Sequence, residues 1–293
     1  CSCSERMNDH FDQGYANPPV PHEVNVSEKT PLLDFLRLSL GLILLVVVVT
    51  GSIFFIARWY APKISFQQEM ALVDRVMPVA EKGVSECREA GETALQAFAE
   101  QLAKHMDLPP EMRIRVHFSD KGEANAGATL GGYIFVMRGL LEHVNSENAL
   151  AMVLAHEIAH IKHRDPIVSA SGGIATALLF SSLIGGLDGG MLLGAALGMT
   201  QMGFSREQEA VADREALAAL QRYYGHTRGA EEFFNYIMAE NSLAANIPAF
   251  LSTHTTPPDR IAAIRASLSA DAPEPKPLSE ALQRLKACTK LSE

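Results

Sequence analysis

The segment VLAHEIAHIKHRDP, residues 153–166, sets His156 and His160 four apart around Glu157 and adds His163 three residues on. Positions i and i+4 of a helix share a face, so two imidazoles there can present ring nitrogens to one cation at about 2 Å. Glu157 lies on the flank of that face, where a carboxylate can take a proton from a metal-activated water. Zinc lowers the pKa of such a water to about 7, which makes a carboxylate a sufficient base at neutral pH. A lone HExxH also arises by accident on helices, so the rest of the ligand set has to be found.

Catalytic zinc takes three protein ligands and keeps a fourth position for water. His163 stays on the same face, but one straight helix cannot easily wrap three side chains around a tetrahedral ion. Its place is more naturally the solvated last turn, where a cationic imidazole suits the helix dipole. The better third ligand lies downstream in SREQEAVAD, residues 205–213. Glu209 and Asp213 are four apart and share a face, whereas Glu207 points elsewhere. Glu209 would complete a His–His–Glu set holding one Zn2+ per chain. Asp213 would fix a ligand imidazole from behind. Any single glutamate can equally be a solvated surface acid; the paired spacing speaks for the ligand reading.

These residues need elements to carry them. The helix of the histidines should open at Asn145 or Ser146, either a good N-cap, and run until Pro166 stops it. MRIRVHFS (112–119) alternates as a strand does, and YIFVM (133–137) reads as a second strand. The turn-rich SDKGEANAGATLGG lies between them. Residues 66–107 carry helical periodicity in two runs broken near Gly83. SREQEAVADREALAALQRY and EEFFNYIMAEN are helical by period. The predicted class is α+β, mostly helical, with a small sheet.

The apolar segments set the domain plan. Residues 1–36 are polar and punctuated by Pro18, Pro19, Pro21 and Pro31, which predicts a disordered tail. From Leu38 to Ala57 no charge occurs over about 20 residues, enough to cross about 30 Å of hydrocarbon. Residues 37–60 therefore read as a transmembrane helix flanked by Arg37 and Arg58, with Trp59 and Tyr60 suited to an interface. A metallopeptidase domain follows over 61–270. Within it, 166–204 carries Asp188 as its only charge and many glycines, which predicts an apolar helical hairpin. The glycines and serines favour a membrane-apposed hairpin over two full crossings, and an ordinary core hairpin stays open. Because His156, His160 and Glu209 must meet, this run has to begin and end on the same side of any membrane. DAPEPKPL opens a proline-rich linker, and a short helix ends the chain (271–293).

Composition narrows the partners. The chain has 293 residues, 47% of them hydrophobic, and a net charge of −9. No basic cluster can track a phosphate backbone, so nucleic acid is not expected as a partner. The four cysteines, Cys1, Cys3, Cys87 and Cys288, form no CxxC and lie away from the histidines, which argues against a thiolate metal site. Cys87 and Cys288 are either a disulfide across the soluble part or two unrelated buried thiols. Cys1 opens the chain without a methionine, which fits removal of a preceding piece or numbering that begins inside a longer product. Lipid modification of Cys1 finds no signal peptide in residues 1–36 to support it.

Four ordered pieces, NAGATLGGYIFVMRGLL (125–141), LAHEIAHIKHRD (154–165), SREQEAVAD (205–213) and LSTHTTPPDRI (251–261), resemble the HtpX-like and Oma-type gluzincin metallopeptidases, a family that includes the CAAX prenyl proteases. The resemblance covers about residues 66–267. It implies His156, His160 and Glu209 as zinc ligands and Glu157 as catalytic acid/base. It implies that Asn125, Ala126, Gly127 and Ala128 form an edge strand pairing with an extended substrate backbone; the residues alone read as a turn. His254 and Arg260 match a histidine followed six residues later by arginine, either of which would stabilise the oxyanion. The family usually has proline directly after that histidine, whereas Thr255 and Thr256 stand here and the prolines come at 257–258.

The reading is a membrane-anchored zinc endopeptidase, touching lipid through 38–57 and, where the hairpin is membrane-apposed, through 166–204; the resemblance implies misfolded or damaged envelope proteins as its substrates. A rival is a chaperone-like binder of extended polypeptides with gated or no hydrolysis. Cleavage of prenylated C-termini within the membrane would need more spans than one. Lys29 and Arg37 nearly balance Arg58 and Lys63, so loop charge barely orients the span. A cytoplasmic N-terminal tail would place the catalytic domain in the periplasm, anchored in the inner membrane by a single pass.

Overall fold

The computed structural model describes residues 31–76, 86–172, 203–243, 250, 254, 258–267 and 271–288. The apolar stretch forms one helix, Pro31–Tyr60, of 30 residues with no buried residue along it. At 1.5 Å per residue it extends about 45 Å, long and apolar enough to cross a membrane. The hairpin expected over 166–204 lies outside the described residues except at its two ends, as does the break expected near Gly83.

The sheet has three strands, β1 (Arg115–Ser119), β2 (Ala126–Ala128) and β3 (Tyr133–Met137), in the order β1-β3-β2. β3 lies parallel to β1 and antiparallel to β2, with Gly127 opposite Phe135. The outer edge of β1 is closed by the helix Glu86–Ala103. Glu92 and Gln96, one turn apart, accept from the amides of Phe118 (3.1 Å) and Val116 (2.7 Å). Gln96 and Arg88 donate to the carbonyls of Ile114 (2.8 Å) and Phe118 (2.9 Å). Side chains thus satisfy a row of strand groups that would otherwise template a neighbour, leaving β2 at the other edge.

The turn from β2 to β3 needs Gly132, whose φ is +79° and at which a Cβ would overlap the Arg113 carbonyl oxygen. Beneath the sheet runs the histidine helix, Glu147–Lys162, buried continuously from Asn148 to Ile161. Ser146 is its N-cap and accepts from the Ala149 amide at 3.1 Å. The sequence reading had Pro166 end this helix. The chain instead turns at Arg164, held at φ +64°, and helical backbone resumes from Asp165, with Pro166 inside the new first turn. A proline costs nothing there because first-turn amides have no helical acceptor.

The glutamate helix, Arg206–Tyr224, packs along the histidine helix. Both helices carry buried alanines, Ala151, Ala155 and Ala159 on one and Ala212, Ala216 and Ala219 on the other, small side chains that suit close helix packing. A capping box from Ser205 and Gln208 opens the glutamate helix and Gly225 in the left-handed region closes it. The remaining described α-helices are Phe66–Val76, Arg138–His143, Glu232–Leu243, Pro258–Ala266 and Glu280–Cys288. The last lies against the helix Glu86–Ala103, with Leu285 seated on Gly91, and a disulfide joins Cys87 to Cys288 with Cα atoms 6.2 Å apart. The proline-rich stretch before it is tied down by a bridge between Pro277 and Ser146 and by the Lys276 amide donating to Asn148.

Candidate active site

One turn of the histidine helix separates His156 from His160, and their Nε2 atoms stand 3.1 Å apart. The glutamate helix brings Glu209 Oε2 to 3.4 Å from His156 Nε2 and Oε1 to 3.6 Å from His160 Nε2. His254 joins them: its Nδ1 is 3.2 Å from His156 Nε2 and 3.0 Å from Glu209 Oε1. Donors bound tetrahedrally at 2.0–2.1 Å are separated by about 3.3 Å, so these spacings are those of the edges of one coordination tetrahedron. The four groups are buried, and they are the cluster able to hold a metal among the described residues. Nitrogen and carboxylate oxygen suit zinc, so the donor chemistry fits as well as the spacing.

Both imidazoles of the histidine helix are held from behind. His156 Nδ1 lies 3.0 Å from Asp213 Oδ1, and His160 Nδ1 lies 2.8 Å from Asp165 Oδ2. These contacts turn both Nε2 lone pairs toward the common point. Arg260 donates from Nε and its terminal nitrogen to Asp213 at 2.6 and 2.8 Å and pairs with Glu209 Oε2 at 2.5 Å. Sequence reasoning offered Arg260 to the oxyanion; in the structure its guanidinium is paired with the Glu209 and Asp213 carboxylates. Aromatic rings back the imidazoles: Phe204 stacks on His160 at 3.9 Å and Phe250 on His254 at 4.7 Å.

Burial and charge act against each other here. Burial alone would lower the His156 imidazole, but hydrogen bonds to Asp213 and Glu209 outweigh it and push its pKa up to about 10. For His160 burial dominates, and the Asp165 bond only partly offsets it, so its pKa falls. Burial would raise Glu209, yet His254 and His156 hold it far below the usual carboxylate range. Asp213 is likewise resisted by burial and held at about 2 by Arg260 and His156.

Glu157 is fully buried; its Oε2 accepts from the Ala128 amide at 2.6 Å, and its Oε1 stands 3.4 Å from His254 Nε2. No hydrogen bond reaches Oε1 among the described residues, which leaves one oxygen available for a proton. Asn125 to Ala128 run beside it, with Ala126–Ala128 as strand β2. His163 takes no part: it is half-exposed and pairs with Glu215 at 2.7 Å.

Sequence reasoning missed Asp165 and Gln208 and gave His254 to the oxyanion; the structure sets its Nδ1 beside His156 and Glu209. Asp165 sits five residues after His160, a spacing with no helical meaning, and reaches back only because the chain turns at Arg164. Gln208 Nε2 donates to Asp165 Oδ1 at 2.6 Å while its Oε1 closes the capping box. The S-x-x-Q spacing is that of a capping box, a signal the sequence reading did not use, and it carries no sign of the second bond.

The sequence profile of peptidase family M48 matches residues 89–268. A Vibrio cholerae protein provisionally named beta-barrel assembly-enhancing protease is 34% identical over 152 residues, 47% of this chain and 31% of that protein. The beta-barrel assembly-enhancing protease of Escherichia coli K12 is 29% identical over 157 residues, 49% of this chain and 32% of its own length. The matched part is thus about a third of those relatives. A protease HtpX homolog of Burkholderia mallei is 27% identical over 264 residues, covering 76% of this chain and 86% of its own.

Proposed function

The chain belongs to peptidase family M48, and on that premise we propose that it is a membrane-anchored, zinc-dependent endopeptidase of misfolded or damaged envelope proteins. The observation that carries this is the convergence of His156, His160 and Glu209, with Glu157 alongside and one of its oxygens open. Zinc held by these residues would supply Lewis acidity toward the scissile carbonyl and acidify the attacking water. Glu157 Oε1 takes the proton of that water and passes it to the departing amine. In the resting site the Ala128 amide holds the other oxygen. Asp213 and Asp165 keep both ligand imidazoles in the tautomer with Nε2 unprotonated. Arg260 is a positioning residue that neutralises the Glu209–Asp213 pair. Strand β2 would take the substrate as a further strand, which binds main chain and tolerates varied sequences.

Removing the metal with a chelator should abolish cleavage of unfolded casein, and zinc should restore it. Failure of zinc and of several other divalent ions to restore cleavage would remove the metallopeptidase reading.

The helix Pro31–Tyr60 supports single-pass anchoring, and the Cys87–Cys288 disulfide supports an oxidising space such as the periplasm. External protease added to spheroplasts should digest the catalytic domain; full resistance would reverse the orientation.

His254 favours a second reading. With its Nδ1 among the donors it fills the position that water needs, and the four donor residues and Glu157 are all at most 1% exposed. Such a state binds metal without hydrolysing, which suits a binder of extended chains with gated cleavage. Under this reading His254 leaves the donor set when the site opens.

A further inference from the structure

We infer that the Ala128 amide is shared in turn by the resting Glu157 and by a bound polypeptide, so that docking of an extended chain on β2 releases Glu157 for proton transfer. This deepens the peptidase reading and rests on it. In an antiparallel pair, peptide groups alternate between the neighbouring strand and the opposite side. The Thr129 amide donates to the Tyr133 carbonyl at 2.8 Å, and the Met137 amide donates to the Asn125 carbonyl at 3.1 Å. Asn125, Gly127 and Thr129 therefore face β3, and the peptide groups of Ala126 and Ala128 face away from it. These outward groups are the ones an added strand would use, because side chains of the helix Glu86–Ala103 close the opposite edge of the sheet.

The Ala128 amide is already engaged, since it donates to Glu157 Oε2 at 2.6 Å. A carboxylate is a stronger acceptor than the peptide carbonyl that would replace it. Docking must accordingly exchange one bond for another: the amide passes from Glu157 to the substrate carbonyl, and Glu157 turns toward the water. No covalent bond changes in the step. The opposition is built into the site, because the strand that receives the substrate also holds the base.

The exchange is measurable on inactive, zinc-loaded full chains. Glu157→Gln keeps a side-chain oxygen that can accept from Ala128; Glu157→Ala keeps none. A fluorescein-labelled peptide of unfolded casein should bind Glu157→Ala roughly fivefold tighter than Glu157→Gln, the scale of one net hydrogen bond. Ala128→Pro removes the amide at an outward-facing edge position, where proline is tolerated. In that background the two Glu157 variants should bind alike. If Ala128→Pro loses its zinc, the comparison of the two single variants still decides. Equal affinities, with hydrolysis by the wild-type chain intact, overturn the inference and leave the peptidase reading standing. Absence of binding by both variants, together with absence of hydrolysis by the wild type, overturns both.

Discussion

Replacing Glu157 with glutamine should lower turnover of an unfolded protein roughly a thousandfold while leaving the metal content unchanged. Glutamine has nearly the shape of glutamate, and its oxygen can accept the Ala128 amide as Oε2 does at 2.6 Å. The four donor groups are untouched, so metal binding should survive. What disappears is the basic oxygen, Oε1, that under the proposed function carries the proton from water to the leaving amine. Metal analysis beside a casein assay reads both halves of the prediction. Undiminished cleavage would remove Glu157 from the mechanism. The same variant separates the two readings in cells: a peptidase loses its function with Glu157→Gln, whereas a chaperone-like binder keeps it.

The second large effect is on metal affinity, which should rise about tenfold per pH unit between about pH 7 and 9. His156 is the cause. In the metal-free protein Asp213 and Glu209 push its pKa up to about 10, so at neutral pH the imidazole carries a proton that metal must displace. Glu209 is already ionised and His160 already neutral, since their pKa values are shifted downward, so neither adds a second proton. With His156, His160 and Glu209 as the three ligands, one proton per metal gives a slope of one. The sign for stability follows the same shift. The proton on His156 stabilises the metal-free fold fully below about pH 6.5, and this contribution is lost as pH rises through about 10. Zinc titration against a chelator buffer at pH 7, 8 and 9 checks the slope, and an affinity independent of pH would contradict the exchange.

Much of the site was legible because its spacing is helical. His156 and His160, and again Glu209 and Asp213, are four apart, and a shared face follows from the period alone. Ser146 and the strands near 115–119 and 133–137 followed from capping and alternation. Strand β2 did not, because NAGA has the composition of a turn and becomes a strand only by pairing with β3. Pro166 has the look of a helix stop, yet the histidine helix ends earlier, where Arg164 adopts a conformation that few side chains choose. His254 and Arg260 lie far along the chain from residues they touch. Nothing local shows that one lies beside His156 and Glu209 and the other binds two carboxylates.

The central claim is that two imidazoles of one helix and a carboxylate of another meet at one cation. A crystal structure of the zinc-loaded chain with anomalous data at the zinc edge addresses it directly. The account predicts a single peak at about 2.0–2.2 Å from His156 Nε2, His160 Nε2 and an oxygen of Glu209. A peak away from these atoms, or a Glu209 carboxylate beyond coordinating distance of it, would contradict the account.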